Sequence, residues 1–174
     1  MKKFLFIILW STLFQPAFSQ EVASLFLEQF NNDDNLEVVS IGEKMFQMMA
    51  DVSPDNENFN EAIKGLEKLI VISSKDSALN HEYYNSAFAI LTKKKSGFES
   101  ILSSKEGQEE LVIMSKESKG IVKELILLQR DSKNNFSLIS LSGEIDLKNL
   151  IKYSSSINLS GLQILDSINK NEEN

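Results

Sequence analysis

The run from Ile121 to Leu147, IVKELILLQRDSKNNFSLISLSGEIDL, constrains the fold more than any other stretch. Two apolar segments flank the polar turn RDSKNN, which is the pattern of a hairpin. Both carry apolar residues on both alternating sets, so neither row of side chains can face water. The run therefore reads as two central strands, Ile121–Arg130 and Phe136–Leu141, covered on both faces or by one strong helical layer. The exit Ser142-Gly143-Glu144 is expected to lead into a helix capped by Asp146 and running through Leu147, Leu150 and Ile151.

Upstream, Phe98–Ser104 and Leu111–Lys116 read as two more strands, and the short turns KEGQ and ESKG make an antiparallel meander the simple solution. Leu36–Ile41 and Leu66–Ser73 bring the sheet to about five to six strands. Helices are expected at Gln20–Phe30 and after the capping box Ser40-Ile41-Gly42-Glu43, where Met45, Phe46 and Met49 should point inward. A short helix capped within Asn58–Glu61 should carry Ala62 and Ile63. The clearest helix runs from Ser77 to about Lys94, with Leu79, Tyr83, Ala87 and Ile90 on one stripe widened by Tyr84, Phe88 and Leu91. Ser160 could cap a last short helix, or a strand may stand there, and 170–174 reads as a flexible tail. The fold class is α+β: one domain over 20–169, an antiparallel-rich sheet with helices layered on it. LEVVSIGEKMFQM and SLISLSGEIDLKNL share the order strand, Gly-Glu, helix, and Gly65–Leu69 echoes Gly161–Leu165. An internal strand–helix duplication would explain that, as would chance in an Ile/Leu/Ser-rich chain.

The first residues bear on address. Lys2 and Lys3 precede an apolar core from Phe4 to Phe14, and Ala17-Phe18-Ser19 forms a small-residue site. This is the layout of a secretory signal peptide over 1–19, cleaved before Gln20. The core is too short for a membrane anchor of roughly 20 residues, and no later stretch reaches spanning length. The expectation is an exported, soluble protein, periplasmic or extracellular. The chain has no cysteine, which rules out disulfides, thiolate chemistry and a lipid-modified cysteine, so it is not expected to be a lipoprotein. Without residues 1–19 the charge is −9, from 16 basic and 25 acidic residues. That disfavours nucleic acid or anionic lipid as a partner.

Chemistry is sparse. His81 is the only histidine and no second nitrogen or sulfur ligand accompanies it, so a hydrogen-bonded or solvent-facing role is the reading. No nucleophile elbow and no phosphate loop occur. Met45, Met48 and Met49 have the spacing and softness for copper(I), but core packing is the commoner use of such methionines. Asp51, Asp55 and Glu57 resemble a calcium loop in composition, yet Asn56 stands at the sixth position from Asp51 and Ala62 at the twelfth, where glycine and glutamate are required. No catalytic, cofactor-binding or metal residue is assigned, no cofactor is expected, and no enzyme activity. An apolar sheet face opposite Phe46, Tyr83 and Phe88 could instead leave a pocket for a small apolar ligand.

The stretches FLEQFNNDDNLEVVSIGEKMFQMM, IKGLEKLIVISS, VKELILLQRDSKNNFSLISLSGEIDLKNLIKYS and LSGLQILDSI together resemble the domain of unknown function 4252 family, small exported proteins of Bacteroidetes. The resemblance implies an envelope location and no assigned catalysis. It also implies a link to envelope-stress signalling, since such chains are often encoded near extracytoplasmic-function sigma factors. Some relatives carry a lipobox cysteine that this chain lacks. The expected function is a non-enzymatic binding module with an envelope protein as partner; the alternative is a carrier of a small apolar ligand.

Overall fold

The computed structural model describes residues 21–31, 33–53 and 56–152. The signal peptide expected over 1–19, Asp55, the helix or strand expected after Ser160 and the tail expected at 170–174 lie outside the described residues. Two strands with apolar residues on both alternating sets need cover on both sides, and they take the middle of the sheet. β1 (Glu37–Gly42), β2 (Leu66–Ser74), β3 (Phe98–Glu106), β4 (Glu109–Ser118), β5 (Ile121–Arg130) and β6 (Phe136–Ile145) form one sheet in the order β1-β2-β6-β5-β4-β3. Every pairing is antiparallel. The four strands β3 to β6 make the expected meander, and β2 then docks on the free side of β6.

Helices cover both faces, as the two apolar rows require. α1 (Val22–Gln29) and α4 (Asn80–Leu91) lie over Ile70, Ile72, Ile126, Leu128 and Leu138. On this face Phe26 stacks on Phe136 with ring centres 5.4 Å apart, and Tyr83 and Phe30 close around them at 5.6 Å from Phe136 and 4.8 Å from Phe26. α2 (Glu43–Val52), α3 (Glu57–Ile63) and α5 (Leu147–Lys152) belong to the opposite face, where Phe46, Ile63 and Leu150 join Leu69, Leu125, Leu127, Ile139 and Leu141. The fully buried Asn80 ties α4 to the sheet ends, its amide donating to the carbonyls of Ser74 and Asn134.

Several local expectations are corrected. Ser40 lies inside β1 and caps nothing; α2 starts after Gly42 with no side-chain cap, because the strand carries straight into the helix. Asn56, not Asn58, caps α3, its side chain accepting from the Phe59 amide at 3.1 Å. Met45 points outward, since α2 sits at the sheet margin and buries only Phe46. α4 begins at Asn80 rather than Ser77 and ends at Leu91, and Phe88 on it is exposed. Gly143-Glu144 is no exit: β6 runs on to Ile145 before Asp146 caps α5 through the Asn149 amide. Gly42 and Gly143, alike in sequence, therefore do different work.

Candidate functional site

The three residues expected to line a pocket are not brought together. Phe46 lies under α2 on one face of the sheet, and Tyr83 is buried on the other. Phe88 stacks beside Tyr84 at 6.3 Å on the outer side of α4. Tyr83 donates its hydroxyl to Asp33 at 2.6 Å; burial and that carboxylate raise its pKa well above the ordinary phenol value. Tyr83 is thus a structural tie between α4 and the loop before β1. Between α1, α4 and β3 there is a groove of about 250 Å³, lined by Val22, Leu25, Ile90 and Phe98 and rimmed by Lys93, Lys95 and Lys116.

The exposed apolar surface is concentrated elsewhere. Of the eight large exposed hydrophobics among the described residues, five lie on β1 and α2. Val38 is 46% and Val39 56% exposed, and on α2 Met45, Met48 and Val52 follow at i, i+3 and i+7, so they share one stripe. Val39 pairs opposite Val71, whose side chain packs with the cluster under α2, so Val39 and the methionine stripe share a face. Beyond β1, nothing among the described residues continues the sheet. Edge strands usually carry a device against further pairing. β3, the other edge, has one: a register shift between Ser100 and Leu102 and the charges of Glu99, Lys105 and Glu106. β1 has no proline, no lysine and no bulge, and its single charge is Glu37 at the start of the strand. An open strand edge beside adaptable thioethers is what strand addition and apolar docking require.

Met45 and Met48 are outward and Met49 is half-buried. Of the expected calcium loop, Asp51 and Glu57 are exposed. No group of three or more His, Cys, Asp or Glu positioned for a metal occurs among the described residues. His81 is exposed on α4.

One buried charge stands out. Lys68, Ser142, Glu124 and Lys116 are consecutive cross-strand partners over β2, β6, β5 and β4, forming a polar row under the start of α1. Glu124 is only 6% exposed and accepts the Val22 amide at 3.0 Å and the Ser140 hydroxyl at 3.4 Å. Glu21 accepts from Ser142 at 3.0 Å and pairs with Lys68 at 2.7 Å. Burial pushes the Glu124 carboxyl above the ordinary value of 4.5, the Glu21 charge adds to this, and the Val22 amide and Lys116 oppose it. A raised folded-state value means that the protonated acid favours the fold. Its contribution is complete below 4.5 and is lost as pH rises through the raised folded value. Glu124→Gln keeps the acceptor for Val22 and removes the titration. The variant's melting temperature should therefore gain on the wild type's as pH rises above 4.5. A difference independent of pH would show that Glu124 does not titrate in the fold.

No helix among the described residues is long and apolar enough to cross a membrane. A family model described as a domain of unknown function, DUF4252, matches residues 30–153. No curated protein matches the chain.

Proposed function

Because the chain belongs to the DUF4252 family, whose description carries no activity, we propose its function from its surface: an exported, non-enzymatic interaction module of the bacterial envelope that docks a protein partner on β1 and α2. The observation that carries this reading is the exposed apolar stripe of Met45, Met48 and Val52 beside an unprotected edge strand. A contiguous apolar surface on a soluble domain marks an interaction site more often than single exposed residues do. The signal-like residues 1–19 and the resemblance to chains encoded near envelope-stress regulators support an envelope setting and a signalling link.

Site-specific photo-crosslinking tests it. A benzophenone side chain at position 39 should give one discrete crosslinked species in the envelope fraction, and the same group at Glu99 on β3 should give none. The mature chain isolated from that fraction should begin at Gln20. Equal labelling from both positions, or residues 1–19 still attached, would count against the module or its address respectively.

A second reading, carriage of a small apolar ligand, draws on the groove beside Val22, Leu25, Ile90 and Phe98, whose lysine rim suits an anionic head group; a larger hollow of about 420 Å³ at Phe46, Ile63 and Leu66 is ringed by Glu43, Lys64, Glu67 and Glu144 and suits an apolar ligand less. The groove's volume is below the roughly 300 Å³ at which ligand pockets begin. Native mass spectrometry of the protein taken from its own cells should show no bound small molecule if docking is the function.

A further inference from the structure

We infer that the β1 edge takes, by strand addition, an extended segment of a partner protein in which lysine or arginine alternates with apolar residues. The inference rests on the docking reading above and supplies the chemistry of what docks.

Backbone geometry gives the mode. In the order β1-β2-β6-β5-β4-β3, β1 spends one side on β2, and no other described residue pairs with its outer side, which can take a seventh strand. An added strand would lie about 4.8 Å away and place alternate side chains on the two faces. On one face they would meet Val39 and, beyond it, the Met45, Met48 and Val52 stripe of α2; on the other they would meet Val38. The larger apolar surface, Val39 with the α2 stripe, selects apolar residues on that face, which are alternate positions of the strand; the Val38 face, with one valine, selects weakly, and the main-chain hydrogen bonds are indifferent to sequence.

Charge selects the rest. Residues 31–61, which hold β1, α2 and most of α3, contain eight acids (Asp33, Asp34, Glu37, Glu43, Asp51, Asp55, Glu57 and Glu61) and one base, Lys44. That is −7 of the −9 carried without residues 1–19, because the other 15 bases and 17 acids nearly cancel. Glu37 shares the face of Val39, and Glu43 and Asp51 are exposed on α2 over that face, so they act on the added strand's intervening lysines through their field rather than by direct pairing. A concentrated field of one sign raises the encounter rate with the opposite sign and suppresses partners of like sign. It therefore disfavours a second copy of this chain as the occupant. Pairing β1 with β1 would bring two such regions to strand spacing, well inside the screening length of about 10 Å at 0.1 M salt. The same sign rejects nucleic acid and anionic lipid. The remainder of the mature chain, at −2, offers no comparable selection.

The test uses the full mature chain and a capped seven-residue peptide of alternating lysine and valine, titrated at 50 mM salt and followed through backbone amide shifts and amide exchange. The peptide should shift and protect the amides of Glu37–Gly42. Its affinity should fall about tenfold by 500 mM salt. Replacing its lysines with glutamate, or its central residue with proline, should abolish binding; the proline form separates strand addition from simple attraction of charges. Val39→Lys, at an exposed position where the fold tolerates change, should remove binding. The combination Glu37→Gln, Glu43→Gln and Asp51→Asn should weaken it about tenfold and flatten the salt dependence. A lysine–valine peptide that leaves β1 unchanged, equal binding of the proline form, or shifts confined to β3 would overturn the inference. So would a dimer of the chain formed through β1. If position 39 still crosslinks in cells when the peptide fails, docking at this edge stands and only the basic-strand chemistry falls; if neither occurs, both fall.

Discussion

Gly143→Ala is expected to lower the melting temperature by about 10 °C or more, a loss on the order of 3–5 kcal/mol. Gly143 sits in β6 at φ +140, where an L side chain is strained. It also lies where both neighbouring strands change register, β2 between Leu66 and Lys68 and β5 between Val122 and Glu124. Opposite it, the Gly65 carbonyl accepts the Glu144 amide at 2.8 Å. A methyl group on Gly143 would collide with that carbonyl, the Glu67 amide and the Leu66 backbone, none of which is the yielding tip of a side chain. Strain and collision therefore add. Gly42→Ala is the control: with φ −99 and open space around it, it should cost about 1 kcal/mol or less. Thermal melts of the two variants decide the matter, and similar losses would mean that the seam at Gly143 relaxes around the methyl group.

Phe26→Ala should rank with it, at about 3–5 kcal/mol. The ring is fully buried and touches Phe30, Tyr83 and Phe136, so its removal leaves a cavity between α1, α4 and β6 rather than a surface dent. Phe88→Ala, from a partly exposed ring whose close aromatic neighbour is Tyr84, should cost well under half as much. Chemical denaturation with both variants gives the comparison. A loss below about 1 kcal/mol for Phe26 would mean that α1 is only loosely held, although it completes one face of the core.

The sheet was legible because burial leaves a trace in each strand. Leu125, Ile126, Leu127 and Leu128 in sequence require cover above and below, and all four are buried at the centre. The edges were shortened, as at Glu106 and Glu109, because charged residues on an exposed strand look like a turn. Gly143 was misread for a different reason. Its conformation answers to Gly65, 78 positions earlier, and no local pattern records so distant a constraint. Helix faces were legible but helix placement was not. The stripes of α2 and α4 contain Phe46 and Tyr83, yet nothing in either stripe says which side of the sheet it will cover, so a pocket shared by the two did not form. Met45 and Met48 illustrate the same limit, since an apolar helical stripe is written alike whether a sheet or a partner covers it. The acids of residues 31–61 could be counted from the start. They gained meaning once the strand among them proved to stand at the edge of the sheet formed by the described residues.

The pairing of β2 with β6 has a consequence for synthesis. Ile70 and Ser140 are partners about 70 residues apart in the chain. At 5 to 20 residues per second, β2 is made roughly 4 to 14 s before the strand that completes it. Through that interval Leu69, Ile70, Val71 and Ile72 have one side unmatched, while β3, β4 and β5 are complete enough to pair among themselves. The sheet therefore cannot close across β2 and β6 until β6 itself has been made, and β1 and β2 wait as a separate hairpin until then.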